Sequence, residues 1–126
     1  MPKTSKKSAT KGGDHGMVVD RAEDLDGYTV NFVELRQNID HTPLLKGLPG
    51  DRCSCPHWGY VLKGRMTMRY PEREEVYEAG DAYYASPGHI PVMNEPGTEI
   101  VQFSPAEKLR EVLAVLLKNV KAMQGG

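Results

Sequence analysis

Two thiols and an imidazole stand at alternate positions in this chain. They are Cys53, Cys55 and His57, in the run Cys53-Ser54-Cys55-Pro56-His57-Trp58-Gly59-Tyr60-Val61-Leu62-Lys63-Gly64. In an extended backbone, residues two apart share a face, so these three would project one way and Ser54, Pro56 and Trp58 the other. His89, within residues 80–94, is the candidate from a second segment to complete the group. A metal centre with an open position takes three or four such ligands. Sulfur with imidazole nitrogen favours zinc and argues against the oxygen-rich sites of magnesium or calcium. Iron, nickel and copper stay open, because sequence does not fix geometry. A zinc-type ion polarises carbonyls and activates water, which suits isomerisation, cyclisation, elimination or hydrolysis. His57 is the residue expected to be catalytic. The plain alternative is a metal-free interior, with the cysteines as small hydrophobes and His57 as a hydrogen-bonded core histidine or a general base.

Those side chains need a scaffold, and composition bounds it. The chain has 126 residues, 39% of them hydrophobic and 26% charged, which fits one globular domain. Sixteen basic against seventeen acidic residues leave a net charge of -1, so no broad electrostatic footprint for nucleic acid exists. No apolar run is long enough for a membrane span and no signal-peptide core opens the chain, so a cytoplasmic protein with no membrane partner is expected. A bridge between Cys53 and Cys55 would close a very small ring with poor geometry, so both are expected to be free thiols or ligands.

Residues 1–16 carry four lysines among small polar residues and predict a disordered basic tail, with His15 incidental. Residues 28–36 alternate as a strand, and 38–50 form a loop whose Leu44, Leu45 and Leu48 can cover a barrel end. His41 in that loop is expected to be exposed or loosely packed. Residues 58–62 and 65–70 read as two antiparallel strands joined by a tight Lys63-Gly64 turn. Short strands follow at 76–78, 82–85 and 98–103. Residues 86–91 are not a central strand, because Pro87 and Pro91 remove ladder donors. Tyr83, Tyr84, Met66, Met68 and Phe103 could line a pocket but read first as core, and Trp58 as packing or interface. From Ser104, as N-cap, a helix runs on with Leu109, Val112, Leu113, Leu116, Leu117 and Val120 at helical spacing, fraying at Gly125-Gly126.

Short strands with glycine and proline turns predict an all-β barrel or sandwich. The sequence also resembles the cupin family over roughly residues 28–103. Tyr60-Val61-Leu62-Lys63-Gly64 is similar to the end of the first cupin motif, and Gly80-Asp81 followed by Pro87-Gly88 to the core of the second. The resemblance implies a double-stranded β-helix (jelly-roll) barrel at 17–104, after the 1–16 tail and before a C-terminal helix at 105–123. It puts His57 at the family's metal-binding glutamate, Cys53 at its second histidine and Asp51 at its first. The second motif's proline position is Ser86 and its histidine position is Pro91, which cannot ligate. His89, two residues earlier, would replace it, and Asn94 lies one residue before the motif's terminal asparagine.

The expected function is a small enzyme that binds a small organic molecule in the barrel beside His57. Its metal site would comprise Cys53, Cys55, His57 and His89, with zinc as the favoured divalent transition ion. The alternative is a non-catalytic cupin that binds or senses a small ligand without metal. A homodimer is expected under either reading.

Overall fold

A computed structural model describes residues 2–124. The fraying expected at Gly125-Gly126 lies outside them. Nine strands and one helix follow in order: β1 (Lys11–Asp14), β2 (Val18–Leu25), β3 (Tyr28–Leu35), β4 (His57–Lys63), β5 (Arg65–Arg69), β6 (Glu74–Glu78), β7 (Ala82–Ala85), β8 (Ile90–Asn94), β9 (Thr98–Pro105) and α1 (Ala106–Gln124). They form a six-stranded antiparallel sheet, β1-β2-β3-β9-β4-β7, facing a three-stranded one, β6-β5-β8. Two short 3-10 turns, Thr42–Leu45 and Pro49–Asp51, occupy the loop before β4.

β2, absent from the sequence reading, is placed by Asp26-Gly27. Their φ values of 51° and 84° are those of a two-residue hairpin turn, and β2 pairs with β3 from Leu25↔Tyr28 to Val18↔Leu35. Within residues 1–16 lies one short strand, β1. Lys11–Asp14 adds to β2 as an edge strand, held by Lys11–Asp24 at 2.9 Å and by the Gly13 N–H donating to Asp20.

The expected hairpin at Lys63-Gly64 does not form. β4 pairs with β7 and β9, whereas β5 pairs with β6 and β8, so Gly64 is where the chain crosses between sheets. Its φ of 86° and the Thr98 side chain packed against it leave no room for a Cβ. Alternation alone could not reveal this, because it identifies strands without naming their partners. Pro91 lies in β8, an edge strand, as its missing donor demands.

Two apolar cores result. Val61, Met66, Met68, Tyr70, Tyr77, Tyr83, Ala85 and Ile100 pack between the sheets. Leu45, Leu48, Cys53, Cys55, Ile90, Leu109 and Val112 pack where α1 and the 42–51 loop close one end. The Asn119 amide fastens helix to loop, donating to the carbonyls of Leu44 at 2.7 Å and Lys46 at 2.9 Å. Outside, Tyr28, Trp58, Tyr84 and Phe103 stay exposed on the solvent face of the large sheet, and Trp58 lies against Tyr84 with ring centroids 4.9 Å apart. No helix is long and apolar enough to cross a membrane, among the described residues.

Candidate functional site

His57 opens β4, paired with Ala85 of β7, and alternation turns its ring inward while Trp58 faces out, 44% exposed. Cys53 and His89 meet through an isolated antiparallel bridge. The Cys53 N–H donates to the His89 carbonyl at 3.1 Å, and the Gly88 N–H to the Cys53 carbonyl at 2.8 Å. Ser86-Pro87-Gly88-His89 has the residue pattern of a type II turn, and Gly88, at φ 100°, supplies the positive angle.

These elements bring Cys53, His57 and His89 together, their ligand-capable atoms all within 4.8 Å of one another. Cys53 Sγ lies 3.6 Å from His57 Nε2, and the two imidazole centroids are 4.9 Å apart. All three side chains are buried, His89 to 1% exposure. The Nδ1 of His89 lies 2.7 Å from the Ser86 carbonyl. A carbonyl only accepts, so Nδ1 carries the proton and Nε2 keeps a lone pair for the cavity. His57 Nδ1 is tied to the Ser104 hydroxyl at 2.7 Å, leaving its Nε2 toward the thiol.

Burial controls the charge of this group. It pushes His57 down to about 3, with His89 adding to the shift, and lowers His89 as well. The same loss of water pushes the Cys53 thiol up to about 11. At neutral pH the cluster therefore holds two neutral imidazoles, the form that ligates, and a thiol that must release a proton to do so.

Cys55 does not join them. The chain bends at Cys55 before Pro56, which breaks the alternation, and its sulfur lies 3.4 Å from the Pro56 carbonyl within the helix-side core. Burial pushes its thiol up to about 12. Both thiols are free. Asp51 is exposed, accepts the Gly47 N–H at 3.0 Å and stands apart from the cluster.

A cavity of about 210 Å³ adjoins the three residues, and Met66, Met68, Asn31, Gln102 and His41 also line it. Tyr83 is in the strand core instead, and Tyr84 and Phe103 face outward. His41 departs from the loose, exposed packing expected of it: its Nδ1 is buried. Ser104 departs too, since its hydroxyl serves His57 in place of the helix N-terminus. Asn31 and Gln102 face each other across β3 and β9. The signal for them was a polar residue at an inward position of an otherwise apolar alternation.

No family model matches the sequence, and no curated protein does. Solved structures match in fold. The polyketide cyclase RemF from Streptomyces resistomycificus has a TM-score of 0.57 and 18% identity, covering 83% of this chain and 80% of that one. A protein of unknown function from Rhizobium leguminosarum gives 0.56 and 15%, covering 82% and 95%. KdgF from Halomonas sp. gives 0.51 and 17%, covering 76% and 86%. With these likenesses, and with two antiparallel sheets closed at one end by a C-terminal helix, the chain has the cupin-type jelly-roll fold.

Proposed function

We propose that this chain is a small metal-assisted enzyme that binds a small organic molecule in the cavity, with a zinc-type ion held by Cys53, His57 and His89. The observation that carries the reading is the convergence of one sulfur and two imidazoles within 4.8 Å beside a cavity of about 210 Å³. The donor set fits such an ion: both rings are neutral, His89 has its proton fixed on the far nitrogen, and one soft sulfur completes the three protein ligands of an open site. A bound ion would supply Lewis-acid polarisation of a carbonyl or a lowered pKa for water. The chain's own residues orient the ligand, exclude bulk water and set the protonation of each donor. His57, pushed down to about 3, is no proton acceptor at neutral pH, so its part is that of a ligand. Isomerase, cyclase, lyase or hydrolase chemistry follows, and the fold likeness to a polyketide cyclase supports that range.

Two free, buried thiols support a reducing, cytoplasmic setting, and the exposed aromatic face of the large sheet supports the homodimer. A second reading, a non-catalytic binding protein, is favoured by one observation: burial pushes His57 down to about 3, which removes it as an acid–base group at neutral pH. Elemental analysis of protein purified without a metal-affinity step tests the first reading. About one zinc per chain is expected; a chain free of transition metal removes it. Turnover lost in His57→Ala would exclude the second.

A further inference from the structure

Two polar atoms of residues that line the cavity have no use in the metal reading. The side-chain oxygen of Asn31 and Nδ1 of His41 are both buried, and neither has a hydrogen-bond partner. Both residues line the same cavity as Cys53, His57 and His89. Asn31 is 7% exposed and sits on the inward face of β3 opposite Gln102, whose own oxygen already accepts the Tyr83 hydroxyl at 2.6 Å. An amide oxygen in that setting has lost water without gaining a protein donor, an arrangement that folding alone does not favour.

The rest of the wall narrows the chemistry further. It includes no lysine and no arginine, and its one formally charged side chain is Asp20, a carboxylate. Phosphate and carboxylate ligands are held by guanidinium forks, ammonium groups or clustered backbone N–H donors. Aliphatic side chains, the thioethers of Met66 and Met68 and the apolar face of α1 make up most of the surface. The space of about 210 Å³ has room for one small ring system.

We propose that Asn31 and His41 are ligand-recognition residues, and that the cavity takes an uncharged, mostly apolar ring compound bearing hydroxyl groups. One hydroxyl donates to the Asn31 oxygen, and another bonds His41 Nδ1. This deepens the reading of the cavity as a small-molecule site, and it is drawn from the protein's own side chains, with no ligand contact assigned to a metal.

The test is a ligand-observed NMR screen of the full chain against a matched library: phenols and cyclic alcohols, the same rings without hydroxyls, and the same rings carrying phosphate or carboxylate. The expected hits are uncharged hydroxylated rings. Asn31→Leu and His41→Phe should each weaken them about five- to tenfold, the worth of one neutral hydrogen bond, without changing the binding of the bare rings. Asn31→Leu should also raise Tm by about 4 °C, because it removes an unpartnered amide of similar volume. Hits confined to the anionic set, a library with no uncharged binder, or variants that bind hydroxylated rings as well as the parent would each overturn the proposal. A fall in Tm for Asn31→Leu would do the same, since it would show the amide to be structural. Zinc content measured on the same samples separates the two readings. A zinc-free chain that still selects hydroxylated rings upholds this inference and removes the metal; a zinc-loaded chain without that selection does the reverse.

Discussion

The two cores are built by different means, and the candidate site lies at their seam. Between the sheets, side chains arrive by strict alternation on paired strands. Tyr77 stacks on Tyr83 at 4.6 Å, and the Tyr70 and Tyr77 hydroxyls share a 2.9 Å hydrogen bond. At the helix end the packing is contributed by a loop, a two-residue bridge and one face of α1. Backbone pairing there is sparse, so position depends more on side-chain contact. His57 and Ser104 belong to the sheet, whereas Cys53 and His89 are held by the bridge and turn. One candidate ligand is thus placed by continuous strand pairing and two by a single bridge and a turn.

Truncation in each core probes this difference most strongly. Leu45→Ala and Val61→Ala should each cost about 3 kcal/mol in chemical denaturation, since both side chains are almost fully buried. Their effects on zinc should diverge. Leu45→Ala loosens the core that holds Cys53 and should weaken zinc about tenfold in competition with a chelator, while Val61→Ala leaves it unchanged. Equal losses would mean that the seam does not exist.

Protons give the next largest effect. In metal-free protein His57 titrates at about 3, against 6.5 when unfolded. The unfolded chain therefore binds more protons through that window, and stability falls as pH drops below 6.5. Between pH 6.5 and 5 the loss from His57 is about 2 kcal/mol, with His89 acting in the same direction. On the alkaline side the sign reverses. Cys53 is raised from 9.0 to about 11 and Cys55 to about 12, so the stability they contribute is full below 9 and is lost above it. Urea midpoints across pH 4 to 10 should trace a dome; a flat profile would show that the histidines are solvated.

The smallest effect sharpens the sheet side of the comparison. Ser104→Ala removes the partner of His57 Nδ1, and should cost about 1 kcal/mol in stability. Zinc affinity should fall about tenfold, with Ser104→Thr recovering most of it. Unchanged affinity in the alanine variant would show that the ring is held by packing alone.

How far the sequence could be read follows the same divide. Alternation located β3, β7 and most of β9, and helical spacing located α1, because each period is a property of one segment. Partner choice is not, which is why Gly64 read as a hairpin turn when the chain in fact changes sheets there. Within the site, Cys53, His57 and His89 were legible from residue type, although the strict alternation assumed between Cys53 and His57 is interrupted at Cys55. Cys55 was misplaced because a bend before Pro56 shifts its facing. Ser104 lies 47 residues from His57, and its serine before a proline and a helix imitates a cap, so no local signal separated the two roles. β2 was overlooked despite Asp26-Gly27, which announces its turn.

Trp58 is the chain's single tryptophan; it follows His57 in sequence and projects from the opposite side of the wall. Its emission is accordingly a spectator of whatever enters the interior. The same indole will register any change in what touches the outer sheet, so fluorescence on this protein needs no engineered label to tell events outside the barrel from events within it.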